Sequence, residues 1–422
     1  MARRVVMAPR IPFRSFGVKK YPIGFGPASR GSRGGGLGRR ALTGSCTADT
    51  VDREGRARRA MKTVLPRHEG LEVERLAGAF RNTTQAYKHL FFRAILACIV
   101  KGARDVIPYA DLLPEMAEAA WWPARRYRLS IGNLGVNDKI TLFLDGIGND
   151  PDEVFTVQRV RNAARAQLGK QQSRGVLRYV PQRFLQPWLE GAYGDIGDGQ
   201  FDRFVKDYSL RLMIARALPY GITPAGDGIQ LNEAWKDYIL ANLPIVSGWA
   251  DFEWLSWVQS RNPNVPVTME KLGPPSERSS LESQHAFFRA AHPLERPVCI
   301  YTGGSIAPGE LSLDHFLPRS FVGHDRIWNL VPMAKGPNSS KGARLPKPAF
   351  VDALAELHHG IIVALDPMGS RQWQRFGEEY AGDLRIAPED LKDRDRLVEA
   401  YQGTVGPMLA IAARMGFPKG WP

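Results

Sequence analysis

The chain has 422 residues, 44% of them hydrophobic and 24% charged, a length that allows two or three domains of about 150 residues each. No stretch approaches the roughly 18 to 20 consecutive apolar residues that span a bilayer, and the start lacks the apolar run of a secretory signal, so a soluble, cytoplasmic protein with no membrane partner is expected. The formal charge of +14 suggests a nucleic-acid partner. Residues 1–60, however, hold 14 Lys and Arg against 3 Asp and Glu, a balance of +11, which leaves only +3 for the remaining 362 residues.

That basic segment is rich in Gly, Arg and Pro, as in Arg30-Gly31-Ser32-Arg33-Gly34-Gly35-Gly36, and has little periodic apolar pattern, so it reads as a disordered tail. It is an electrostatic arm for nucleic acid, a loose version of a transit peptide, or a stretch upstream of a true start at Met61. The last reading is favoured because globular-looking sequence begins there. From Met61 to about residue 280 the pattern is mainly helical. Asn82-Thr83-Thr84 offers an N-cap, after which Tyr87, Leu90, Phe91, Ala94, Ile95 and Cys98 recur at helical spacing. Leu113 to Ala120 reads as a short helix with Pro114 in its first turn and Pro123 stopping it. Trp121-Trp122 beside Arg125-Arg126 reads as buried rings under flanking charge rather than a base-stacking platform. Asp152 to Gln172 reads as one polar helix whose Arg159, Arg161, Arg165 and Lys170 form a solvated face. Amphipathic helices follow at Leu231 to Leu243 and Trp249 to Val258, the second ending before Arg261-Asn262-Pro263-Asn264-Val265-Pro266. Residues 262–280 read as a surface linker.

The densest chemistry lies at Leu313-Asp314-His315-Phe316-Leu317-Pro318-Arg319-Ser320, Trp328-Asn329-Leu330 and Asn338-Ser339-Ser340-Lys341. Hydrolysis of a phosphodiester needs a metal to neutralise oxygens on phosphorus and a base to deprotonate water. Hard Mg²⁺ prefers oxygen ligands and keeps several waters, and Asp314 and Asn338 can supply such oxygens. Histidine is the side-chain type that titrates near neutral pH, so His315 can act as the base. Lys341 could offset charge on the phosphate. Neighbouring residues on a strand face opposite ways, so Asp314 and His315 share a site only if the strand ends there. Pro318 makes that ending natural. His324-Asp325 reads as a solvated turn rather than an extra ligand pair, and Trp328 as a core anchor.

These residues resemble the HNH nuclease family, and in particular the HNH domain of RNA-guided CRISPR effectors, which shares the upstream Tyr301-Thr302-Gly303. Fourteen residues separate His315 from Asn329, nine more lead to Asn338 and three to Lys341. The resemblance implies a β-hairpin followed by a helix gripping one metal. It makes Asp314 and Asn338 metal ligands, His315 the general base, and Asn329 the residue that holds the loop orienting His315. Thr84-x-x-Tyr87-Lys88, Tyr179-Val180-Pro181-x-Arg183-Phe184-Leu185 and the 261–266 segment are similar to segments preceding the core in a group of bacterial HNH endonuclease-domain proteins. Arg319 stands where that group has an aromatic residue, adding positive charge beside the site where nucleic acid would lie.

The expected protein is therefore mainly α with a small α+β (ββα-metal) module at 281–346. A helical domain (61–280) precedes the module, and C-terminal helices follow it at 347–422. Those helices are expected at Ala349 to Ala364, Ser370 to Glu379, Asp390 to Gln402 and Val405 to Met415, with His358-His359 exposed. The expected activity is Mg²⁺-dependent (or Mn²⁺-dependent) cleavage of DNA, with RNA left open, in defence against phage or restriction. The competing class is a catalytically silent nucleic-acid-binding or regulatory protein that kept the fold. The helical domain would supply a platform for recognition, a protein partner or a second copy. Cys46, Cys98 and Cys299 include no C-x-x-C pair, so no structural zinc is expected. Cys299 is expected to pack as a small buried hydrophobe.

Overall fold

Apolar residues at helical spacing build the Tyr87–Val100 helix, whose Leu90, Phe91, Ala94 and Ile95 are all buried. It packs along the Tyr109–Trp121 helix, and these two form the centre of the N-terminal region. The computed structural model describes residues 65–81, 83–132, 139–148, 156–190, 196–275, 280–291, 297–365 and 371–422. The basic tail and the proposed start at Met61 lie outside them. Lys62–Pro422 forms one compact unit, mainly helical, with two hydrophobic cores. The first runs from Leu65 to Val265, and the second from Phe287 to Phe417. Ile411 and Met415 pack against both, and Arg128 lies 5.3 Å over the Phe417 ring, so the cores share a boundary.

Two small sheets accompany the helices. β1 (Val106–Pro108), β2 (Tyr220–Ile222) and β3 (Gly228–Leu231) form an antiparallel sheet in the order β1-β3-β2. Three-residue strands carry too little alternation to be read from sequence. β4 (Leu311–His315) and β5 (Leu330–Ala334) pair antiparallel, with Leu311 opposite Ala334 and His315 opposite Leu330. The Lys335–Lys341 helix follows β5 directly and packs on both strands. Hairpin and helix together give the expected small α+β module. No described helix is long and apolar enough to cross a membrane.

Several helices depart from their expected limits. The cap of the Tyr87–Val100 helix is Ala86, not the 82–84 cluster; Thr83 instead donates its hydroxyl to the Phe80 carbonyl, and Asn82 is outside the described residues. The Tyr109–Trp121 helix starts behind Pro108, which leaves Pro114 in its interior, and Pro123 sits in a π-helical turn rather than stopping it. Trp121 and Trp122 are buried. The expected single helix at 152–172 is two, Val157–Ala166 and Gln171–Val176, separated at Gly169, whose φ of +83° ends a helical run. Within 262–275, Asn262, Val265, Thr268 and Lys271 are buried while Pro263, Asn264, Val267, Met269 and Glu270 are exposed, so the segment runs over the surface and is pinned to it by a few side chains. Asn262 anchors it, accepting from Ser130 N and donating to Ser130 O. The last two expected helices are one, Arg394–Arg414, running through Pro407. Burial of Tyr401, Val405 and Leu409 holds the helix together across the hydrogen bond that Pro407 removes.

His358 is not exposed. Adjacent helical positions diverge by about 100°, so it points into the second core while His359 reaches the Lys392 carbonyl at the surface. Its Nε2 donates to the Leu330 carbonyl (3.1 Å), and its Nδ1 accepts from the Tyr380 hydroxyl (2.6 Å). In the first core, His89 is stacked on Phe80 at 4.5 Å, and neither ring nitrogen has a hydrogen-bond partner among the described residues. Burial pushes both imidazoles down to about 3. Each therefore stays neutral in the folded chain while the unfolded chain takes up a proton below about 6.5. The stability that follows from neutrality is lost as pH falls through that value. At pH 5.5 each histidine should cost on the order of 1 kcal/mol relative to pH 8. Burial raises the carboxyls of Glu118 and Asp314, which acts in the opposite sense. Comparison at matched pH separates the terms: thermal unfolding of His89→Leu should lose less stability between pH 8 and 5.5 than wild type. An unchanged slope would show that His89 titrates normally in the fold.

Candidate active site

β4 ends at His315, and the chain then turns. Phe316 N donates to the Asn329 carbonyl (2.8 Å), Pro318 caps the short Arg319–Val322 helix, and Gly323 closes it at φ +77°. Asn329 is fully buried. Its Oδ1 accepts from Leu317 N (2.8 Å) and its Nδ2 donates to Leu317 O (2.9 Å). One amide thus satisfies both polar groups of the residue two past His315, a pairing that needs a donor and an acceptor on one short side chain. Trp328 beside it is a buried anchor whose indole donates to Asp383 (2.8 Å). Tyr401 donates to the Trp328 carbonyl, and Ile327 N donates to Glu379. The turn after the hairpin is therefore fastened to the Arg371–Leu384 and Arg394–Arg414 helices.

Asp314 and His315 leave the strand toward different partners. Asp314 is buried, with Lys341 Nζ 3.2 Å from Oδ1 and 3.0 Å from Oδ2. The Tyr301 hydroxyl donates to Oδ2 at 3.4 Å. This gives the Tyr301-Thr302-Gly303 motif a structural use: Gly303, at φ +68°, lets the chain turn so that Tyr301 reaches back to Asp314. Burial pushes the Asp314 carboxyl up, and the Lys341 ammonium pulls it back; burial also pushes Lys341 down. Lys341 does not lie where the phosphate-facing expectation put it. Its ammonium is fully buried and also donates to the His315 carbonyl (2.7 Å). In this arrangement it neutralises Asp314 instead of a substrate. Asn338 is half-buried, and its Nδ2 donates to Ser312 Oγ (3.0 Å) and the Leu313 carbonyl (3.2 Å), with no partner for its Oδ1 among the described residues.

His315 meets a residue that sequence reasoning had placed in a solvated turn. Its Nε2 is 2.8 Å from Asp325 Oδ1, and the same oxygen accepts from Arg319 Nε at 2.9 Å. These two partners hold the Asp325 carboxyl down at about 2, His315 contributing most. A carboxylate only accepts, so Nε2 carries a proton, and in the neutral ring Nδ1 then carries the lone pair. Nδ1 has no partner among the described residues. Asp325 was legible only as a polar residue ten positions downstream, because the turn that returns it to His315 is set by Asn329 and the C-terminal helices. His324 is packed edge-on to Trp328 at 5.4 Å, and burial pushes it down to about 4. Arg319 is half-buried; its Nη nitrogens have no partner among the described residues.

The donors suit a hard divalent ion in kind: one carboxylate on Asp314 and one amide oxygen on Asn338, the rest of the shell falling to water and substrate. Among the described residues no group of three or more His, Cys, Asp or Glu side chains is placed to hold a metal. Cys299 is buried, as its small apolar character implies. No curated protein and no solved structure matches the chain. Residues 299–347 match the family model described as HNH endonuclease, a match that spans the Tyr301 turn, both strands of the hairpin and the Lys335–Lys341 helix. The chain carries an HNH endonuclease-family domain at those residues, which implies nuclease-type activity on nucleic acid.

Proposed function

We propose that the protein is a metal-dependent endonuclease that hydrolyses phosphodiester bonds of DNA. The observation that carries this reading is the His315 imidazole. Its Nε2 is fixed on Asp325, and its Nδ1 is left without a partner among the described residues. In the proposed reaction Nδ1 takes a proton from water as the water oxygen bonds to phosphorus and the bond to the leaving oxygen breaks. Asp325 stabilises the imidazolium that results, as the carboxylate does in other His-carboxylate pairs. Asn329 keeps the backbone beyond His315 in place, so the ring is already oriented. Arg319, anchored through Nε, has its Nη nitrogens available for a phosphate oxygen. Mg²⁺ or Mn²⁺ held by Asp314 and Asn338 would supply charge neutralisation at the phosphate. Lys341 keeps Asp314 from being an uncompensated buried anion when that ion is away. Within this reading, defence or restriction is the proposed role, with the helical domain as the recognition platform.

One observation favours the second reading, a silent nucleic-acid-binding protein: the Asp314 carboxylate already has a counter-ion in Lys341. Supercoiled plasmid separates the two. With Mg²⁺ the wild-type protein is expected to nick or linearise it, and EDTA in excess over the metal is expected to abolish cutting. Binding of the plasmid with no nicking on long incubation, in Mg²⁺ and in Mn²⁺, would sink the nuclease reading and support the silent one. Running the same assay on RNA tests the choice of DNA.

A further inference from the structure

A cleft of about 690 Å³ opens in the N-terminal region, between the Tyr109–Trp121, Gln171–Val176, Val180–Phe184 and Asp198–Arg216 helices and the β2–β3 turn. None of residues 301–341 lines it. Its floor is apolar, formed by Leu113, Leu177 and Ile222. Its walls carry four cations, Arg174, Arg178, Arg203 and Lys206, all exposed. None of the four has an ion pair among the described residues. Of the two carboxylates in the lining, Asp202 is taken by Arg183, which donates Nε to Oδ1 (3.2 Å) and Nη2 to Oδ2 (3.0 Å). Asp207 is left to oppose the four cations, so the cleft is cationic.

Two further features give it more than charge. The guanidinium carbons of Arg178 and Arg183 each lie 4.9 Å from the centroid of the Tyr179 ring. Stacking of this kind limits the rotamers of a long side chain and lowers the entropy lost when it binds. Gln182, also in the lining, has a buried Oε1 with no hydrogen-bond partner among the described residues. A buried acceptor left empty costs free energy, and turning the Gln182 side chain into the cleft would let a donor brought by a ligand recover it.

We propose that this cleft is a second binding site, one that takes a nucleotide: phosphate oxygens on Arg174, Arg178, Arg203 and Lys206, and a base N–H on the Gln182 carbonyl. The volume suits one phosphorylated nucleoside. Unpaired cations alone would accept any anion; the orphan amide oxygen and the apolar floor select one that also carries a flat, hydrogen-bonding ring. The nucleotide could belong to a nucleic-acid strand or be free, and the recognition chemistry is shared. The inference does not depend on the nuclease reading, since no residue of the hairpin site takes part.

The test uses the full chain carrying His315→Ala, in EDTA, so that cleavage cannot intervene. Binding is measured by calorimetry to ATP, to a short 5′-phosphorylated oligonucleotide, and to inorganic phosphate and pyrophosphate. Saturable binding of ATP or the oligonucleotide, weakened roughly 10- to 100-fold by Arg203→Ala/Lys206→Ala, is the expected result. Gln182→Leu should weaken the nucleotide but not pyrophosphate, and Arg396→Ala, a surface arginine elsewhere, should change neither. ATP binding identifies a free-nucleotide site, and oligonucleotide binding alone identifies a strand-holding site. No binding, or binding unaffected by the double substitution, overturns the proposal. Pyrophosphate binding as tight as ATP overturns its base-reading half. Loss of this binding would leave plasmid cutting by the wild-type protein to be judged separately.

Discussion

Replacing His315 with Ala is expected to slow plasmid cutting by about 10²- to 10⁴-fold, the range that a positioned general base contributes, while leaving the fold intact. The structural side follows from the partners that remain. His315 sits at the edge of the hairpin, half-buried, and gives up one side-chain bond to Asp325. Asp325 keeps its charge-assisted bond from Arg319, so truncation strands no buried anion. Thermal unfolding should therefore change little, and the loss should fall on the chemical step. DNA binding in EDTA should be retained, because the imidazole is not one of the cationic groups expected to hold phosphate. Asp325→Asn should act in the same direction but less severely. An amide in its place can still occupy the turn, but it no longer stabilises an imidazolium. Equal cutting rates for wild type and His315→Ala would exclude His315 as the base. Loss of cutting together with a collapsed melting transition would instead mean that the residue holds the hairpin.

The site was legible in part because its residues are tied to short-range rules. A strand that must end at His315 was readable from Pro318, and β4 ends there. A buried Trp328 was readable from its bulk. What remained hidden depends on contacts distant in sequence. Asp325 becomes a partner of His315 only because Glu379, Asp383 and Tyr401, fifty to seventy residues further on, fasten the intervening turn. No local pattern encodes that. The same limit explains the helices. Periodicity located the Tyr87–Val100 stripe, but the break expected between Gln402 and Val405 is overridden by the buried face of the Arg394–Arg414 helix. Gly169 made a break inside a run that read as continuous. Three-residue strands such as β1 and β2 leave no periodic trace at all. The buried ion pair was the least readable feature, since Asp314 and Lys341 are both types that prefer water and only the packed helix behind the hairpin removes them from it.

That ion pair makes the second large prediction. Lys341→Met should destabilise the protein by about 3–5 kcal/mol, the usual cost of stranding one member of a buried pair. Lys341 is fully buried, and Asp314 nearly so. Methionine has nearly the same length and volume, so packing against the Lys335–Lys341 helix is preserved and the loss isolates the charge. Without the ammonium, burial of Asp314 is opposed only by the Tyr301 hydrogen bond and the neighbouring His315, and its carboxyl should shift further up and take a proton more readily. The destabilisation should therefore shrink as pH falls, because a protonated Asp314 no longer needs a counter-ion. Asp314→Asn combined with Lys341→Met removes both charges and should recover part of the loss in a double-mutant cycle. Adding Mg²⁺ to the Lys341→Met protein should also recover stability if the ion takes the same carboxylate, since a ligand that binds only the folded state raises its melting temperature. A phosphate-facing Lys341 predicts the opposite set of results. The single substitution would then cost less than about 1 kcal/mol, as exposed charges do, and would weaken DNA binding with a shallower salt dependence. Denaturant melts of the single and double variants at pH 5 and pH 8, beside DNA titrations at two salt concentrations, decide between a lysine that guards the aspartate and one that meets the substrate.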